Sequence, residues 1–406
     1  MPSPSLNKDV LKDICKQVSY DDGIDEAIKF ALSGIEPMNA FMELLTTVKS
    51  VEFKHYGVKA VFNWATYYLN FEGDICPGDM YPKEICSKIL SYTPELTIFV
   101  DDIESRHMEF LNKWPNNDRL KKVCIEYAGQ NTNFLEPIMS RFLNMPIKHL
   151  VADASSLIPF ISTIDHREYD NVELRFENGY FDRLETMLTS FRFHSKNLTL
   201  SFSGEYTWYE ILYVVTKVVK ENSNGAVSTV VENLTLNFNG DIDVPELPEL
   251  QLKDFFEDIS KCFPNLKNVN FCIDFTFNAE GFLTEEDASI ELYVSTYQEV
   301  IKQVSKAKID YNLSVEWIRE DHVVDISPTN THFVSLCEAL TNDLGFHKIE
   351  DKESCWEVEK KITDNKSFKM TVTLIHDYDP NEEYDDYEDY DYEGGDYDEF
   401  YDYDDA

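Results

Sequence analysis

A short strand pattern recurs along this chain, each time followed by an amphipathic helical stretch. The strand cores read Val123-Cys124-Ile125, His149-Leu150-Val151, Val172-Glu173-Leu174-Arg175-Phe176, Leu198-Thr199-Leu200-Ser201-Phe202, Leu234-Thr235-Leu236-Asn237-Phe238 and Val269-Asn270-Phe271. Equivalent apolar positions lie 26 residues apart from 97 to 123 and from 172 to 198, and 36 apart from 198 to 234. Such periods predict a stack of strand–helix units, each burying its apolar face against its neighbours. The expected architecture is α/β: a solenoid with one parallel sheet, because strands joined by helices on one side run parallel with right-handed crossovers. A last strand over 366–375 is expected to close the array.

The pattern divides the chain into three parts: residues 1–48, 49–376 and 377–406. The first reads as three short helices. Leu6, Val10, Leu11, Ile14 and Val18 recur at helical spacing, Ile24, Ile28, Ala31, Leu32 and Ile35 give a second stripe, and Pro37 suits the first turn of a third helix. The last part carries 11 Asp, 5 Glu and 8 Tyr with no Lys or Arg. That composition self-repels and buries too little aliphatic surface to offset chain entropy, so no fixed structure is expected after Asp377.

Charge narrows the function class. The chain carries −40 formally, and −24 remains when the acidic tail is set aside. A field of that sign repels nucleic acid and anionic lipid and favours basic partners. Neither nucleic acid nor membrane is expected as a partner. Eight scattered cysteines without Cys-x-x-Cys, no charged-then-apolar leader and no apolar run of 18 residues read as a reduced protein of cytoplasm or nucleus. Four Asn-x-Ser/Thr sequons, at Asn197, Asn233, Asn312 and Asn365, read as chance in that setting.

Catalytic motifs are missing from the sequence. It contains no Gly-x-x-x-x-Gly-Lys, Gly-x-Gly-x-x-Gly or Gly-x-Ser-x-Gly, and no paired His at metal-binding helical spacing. No cofactor or metal is expected, and the chain reads as a non-enzyme. The informative chemistry is the alternation itself. Residues i and i+2 of a strand share a face. With Val172, Leu174 and Phe176 buried, Glu173 and Arg175 point outward. Thr199, Ser201, Thr235, Asn237 and Asn270 follow by the same rule, and stacking would gather them into one partner-binding face. The tail tyrosines, among them Tyr384, Tyr387, Tyr390 and Tyr397, could add cation–π contacts to a basic partner. A tail that serves only solubility explains the same composition.

The x-Leu-x-Leu-x-Phe units at Asn197–Phe202 and Asn233–Phe238 resemble a divergent leucine-rich repeat, although the loop asparagine of that pattern is not regularly placed. Leu6-Asn7-Lys8-Asp9-Val10-Leu11-Lys12-Asp13-Ile14 resembles the opening of an F-box, with Asn7 where that family usually has Pro. The combination is similar to the expanded F-box-like leucine-rich-repeat proteins of nematodes. That resemblance implies a substrate adaptor: Leu6, Val10, Leu11 and Ile14 would bind a Skp-type linker of a cullin ubiquitin ligase complex, and the repeats would bind a protein substrate. A plain cap over the end of the array accounts for the same helices. Repeats followed by an acidic tail also resemble acidic leucine-rich nuclear phosphoproteins and Ran GTPase-activating protein. The first implies the alternative function, an acidic scaffold or chaperone for basic proteins.

Overall fold

The computed structural model describes residues 7–22, 24–54, 57–70, 80–103, 105–112, 117–126, 133–143, 145–160, 167–177, 181–190, 194–203, 213–218, 227–239, 251–276, 290–323, 331–350 and 354–376. Leu6 and the whole acidic tail, with Tyr384, Tyr387, Tyr390 and Tyr397, lie outside them.

The chain opens with three helices, α1 (Lys8–Asp22), α2 (Ile24–Ala31) and α3 (Ile35–Leu44). A single sheet follows. Its fourteen strands are β1 (Val48–Lys54), β2 (Gly57–Phe62), β3 (Thr66–Asn70), β4 (Glu95–Phe99), β5 (Lys122–Glu126), β6 (His149–Asp153), β7 (Tyr169–Glu177), β8 (Ser195–Ser203), β9 (Asn233–Asn239), β10 (Asn268–Thr276), β11 (Asn312–Val323), β12 (His347–Lys348), β13 (Cys355–Thr363) and β14 (Lys366–His376). They lie in the order β12-β13-β14-β11-β10-β9-β8-β7-β6-β5-β4-β1-β2-β3. From β4 to β11 each strand pairs in parallel with the next in sequence.

Two hairpins depart from the expected plan. At one edge β1, β2 and β3 are antiparallel, and at the other β12, β13 and β14 are antiparallel. The strand at 366–375 therefore does not close the sheet, because β13 continues it outward. Before β12 the chain runs as α-helix over Thr331–Glu338 and as a π turn over Ala339–Asp343. Gly345 then takes the left-handed conformation, φ +73°, that the exit requires.

The parallel register is uniform. Val172, Leu198, Leu234 and Val269 stand side by side, as do Leu174, Leu200, Leu236 and Phe271, and Phe176, Phe202, Phe238 and Ile273. All are buried on the face covered by helices. Phe202 stacks between Phe176, centroids 5.0 Å apart, and Phe238, 4.9 Å apart. The helices match this face by their own period: Leu252–Cys262 buries Leu252, Phe255, Phe256, Ile259 and Cys262, an i, i+3, i+4, i+7 stripe. Gln303, from the helix Ile290–Lys306, accepts the Leu252 N–H through Oε1 at 2.7 Å. The buried Lys366 donates to the Ser305 and Ala307 carbonyls at the C-terminus of that helix, where a cation is favoured.

A hydrogen-bonded step sets the register. The carbonyl just before one strand accepts two successive N–H groups from the entry to the next. Pro94 takes those of Lys121 and Lys122, Lys121 those of Lys148 and His149, and Lys148 those of Asp170 and Asn171. Glu232 does the same for Lys267 and Asn268.

Above these steps runs an asparagine ladder. Asn197 donates to Asn171 Oδ1 at 2.8 Å, Asn233 to Asn197 at 2.7 Å, Asn268 to Asn233 at 2.7 Å and Asn312 to Asn268 at 3.0 Å. The side chain of Asn171 continues the line to His149. Such ladders recur where identical amides stack in register. Asn233→Ala removes one donated and one accepted bond at a half-buried site. It is expected to cost about 1–3 kcal/mol in urea unfolding, whereas Asn239→Ala at the exposed end of the same strand should cost far less.

Candidate functional site: the open face of the sheet

The face away from the helices presents the alternate residue of every strand. Glu173, Thr199, Thr235 and Asn270 form one transverse rank, and Arg175, Ser201 and Asn237 form the next, followed by Cys272. All seven predicted face residues are half-buried or exposed, while their neighbours along each strand are buried. The outward register read from the alternation therefore holds across β7 to β10.

Sequence reasoning missed the order within this face. Three of the four sequons supply rungs of the ladder. Asn197, Asn233 and Asn312 stand two residues before Thr199, Thr235 and Ser314, so amide and hydroxyl share the open face. Asn365, two before Ser367, turns its amide onto the Tyr311 carbonyl at 3.0 Å beside the same rank. The asparagines are thus regularly placed at strand starts, where a search for a loop asparagine does not look.

Charge on the face is unevenly spread. β8 and β9 present Asn, Thr and Ser only, with Asn237 donating to Ser201 Oγ at 3.3 Å. On one side of this neutral strip, Arg175 reaches Glu126 Oε1 at 2.8 Å and Glu173 Oε1 at 3.0 Å, with Asp153 beside it on β6. On the other side, Lys369 reaches Glu357 at 3.2 Å and Glu316 at 3.5 Å. Asp274 lies next to Ile318, between Glu316 and Glu320 along β11. Its Oδ1 is buried and makes no hydrogen bond among the described residues. Burial first, then Glu320 and Glu316, raise its carboxyl above the ordinary aspartate range. In each cluster one cation serves two carboxylates, Arg175 in the first and Lys369 in the second.

Two thiols on this face, Cys124 and Cys272, are not primed as nucleophiles. Burial, reinforced by Glu126, pushes Cys124 up to about 12, and burial with Glu316 and Asp274 pushes Cys272 up to about 11. A thiolate is the reactive form, so both stay protonated near neutral pH. Among the described residues no group of three His, Cys, Asp or Glu is arranged to hold a metal ion. No described helix is long and apolar enough to cross a membrane.

The proposed linker stripe on α1 is divided. Val10 is 44% exposed, Ile14 is half-buried, and Leu11 is only 3% exposed. Leu11 packs into the protein, so it cannot be a free docking residue. Leu32, in the turn after α2, and Ile35, at the start of α3, are 47% and 80% exposed and add aliphatic surface nearby. Glu43 on α3 pairs with Lys8 and Lys12 of α1, and the Lys8 contact is the main reason its carboxyl lies below the ordinary range. A cleft of about 590 Å³ opens there, bordered by Leu11, Asn39, Met42 and Lys88. No protein-family description, curated protein or solved structure matches this chain.

Proposed function

We propose that the chain is a non-enzymatic interaction protein, a leucine-rich-repeat-like solenoid whose open sheet face holds a protein partner. The observation that carries this reading is the in-register polar face of β7 to β10. Its side chains form ordered transverse ranks. Within that reading α1–α3 form an F-box-like head that engages a Skp-type linker, making the chain a substrate adaptor of a cullin ubiquitin ligase. Exposed Val10 and Ile35 support such a docking role, since a partner would cover apolar surface that the fold leaves in water. The second reading, an acidic scaffold for basic proteins, draws on the net charge of −40.

Val10, not Leu11, is the position that separates docking from folding. Val10→Asp should abolish binding of purified full-length chain to a Skp-type linker, read by titration calorimetry, with far-UV circular dichroism unchanged. Leu11→Asp should unfold the helices instead. Absence of linker binding by the unmutated chain would leave α1–α3 as a cap and remove the ligase reading.

A further inference from the structure

The open face has a chemistry of its own, and it specifies a partner more narrowly than overall charge does. β8 and β9 present an uncharged strip of amides and hydroxyls, Thr199, Ser201, Thr235 and Asn237 among them. Such groups can hydrogen-bond a polypeptide main chain whatever its sequence. Flanking the strip are the two acidic clusters, with Glu126, Asp153 and Glu173 around Arg175 on one side and Asp274, Glu316 and Glu320 on the other. We infer that this face binds an extended basic peptide segment laid across the strands, with cationic side chains six residues apart seated on the two clusters.

The spacing comes from the fold. Arg175 on β7, Cys272 on β10 and Glu316 on β11 share one rank, so the two clusters stand four strand intervals apart. At about 4.8 Å per interval that is roughly 19 Å. Six residues of extended chain cover about 20 Å, and residues i and i+6 project to the same side. A basic residue over Glu173 therefore puts its i+6 partner over Glu316, with Asp274 on the neighbouring strand. Asp274 Oδ1, which makes no hydrogen bond among the described residues, offers that second cation an acceptor. An anionic partner meets the same carboxylates as repulsion. The inference rests on the reading of the open face as the partner surface and adds the partner's chemistry.

The test uses full-length protein and three synthetic twelve-residue Ser/Gly/Thr peptides read by fluorescence anisotropy at low salt. One carries Arg at positions i and i+6, one carries Arg at i and i+1, and one carries Glu at i and i+6. The acidic tail attracts both arginine peptides alike, so the readout is the preference for i, i+6 spacing over i, i+1. Native chain should show that preference and should not bind the Glu peptide. Asp274→Asn with Glu316→Gln and Glu320→Gln should weaken binding of the i, i+6 peptide roughly tenfold and erase the preference. Glu320→Gln alone serves if the triple variant melts early. Equal affinity for both arginine spacings, or a preference that survives neutralisation in folded protein, overturns the inference. If Thr235→Arg blocks the native partner while no spacing preference exists, the face binds a partner of other chemistry. If Thr235→Arg leaves the native partner bound, the face itself is not the site.

Discussion

Phe238→Ala is expected to destabilise the protein by about 3–5 kcal/mol. Phe238 is fully buried, stacked on Phe202 and tilted against Phe271 with centroids 5.2 Å apart. Truncation removes the burial of a large ring and leaves a hole that the flanking strands cannot close, since their register is fixed on both sides by main-chain bonds. The lost aromatic contacts add about 0.5–1.5 kcal/mol each. The same strand supplies the control. Thr235→Ala lies on the open face and should change stability by less than about 1 kcal/mol. Urea unfolding followed by circular dichroism reads both. A cost below about 1 kcal/mol for Phe238→Ala would mean that β9 is turned over by one residue.

Thr199→Arg combined with Thr235→Arg should release the bound partner while leaving the fold intact. The two threonines are register partners on β8 and β9, half-buried and on the open face. Two long cations there fill the neutral strip and place charge where a main chain would lie. Loss of at least roughly tenfold in affinity is expected, the scale of a central contact in an interface. Thr199→Ser with Thr235→Ser keeps the hydroxyls and should bind as the native chain does. Partner affinity unchanged by the arginine pair would move the binding surface elsewhere.

Period-two alternation made the parallel strands readable, because burying one face leaves a mark on every second residue. Leu234, Leu236 and Phe238 could be assigned inward and Thr235 and Asn237 outward before any coordinates. The edge hairpins were not readable in that way. β13 carries Glu359, Lys360 and Lys361 beyond its short pairing with β12 at Trp356 and Glu357, charges that discourage further pairing there and mask the strand pattern. The burial of Leu11 was hidden for another reason. A helical stripe shows which side is apolar but not whether the protein itself or a partner covers it. The asparagine ladder and the acidic clusters depend on register between distant segments. Glu126 and Arg175 are 49 residues apart in the chain yet 2.8 Å apart in space. No local pattern encodes that pairing.

The central claim is that partner and linker occupy separate surfaces, the open sheet face and the α1–α3 helices. The most direct measurement purifies tagged full-length chain from its native cells in three forms: unmutated, Val10→Asp, and Thr199→Arg with Thr235→Arg. Quantitative mass spectrometry of the bound proteins then compares them. The account predicts two separable losses: Skp-type linker and cullin disappear only with Val10→Asp, and a basic protein disappears only with the arginine pair. Loss of one common set in both variants, or retention of every bound protein by the folded arginine variant, would contradict it.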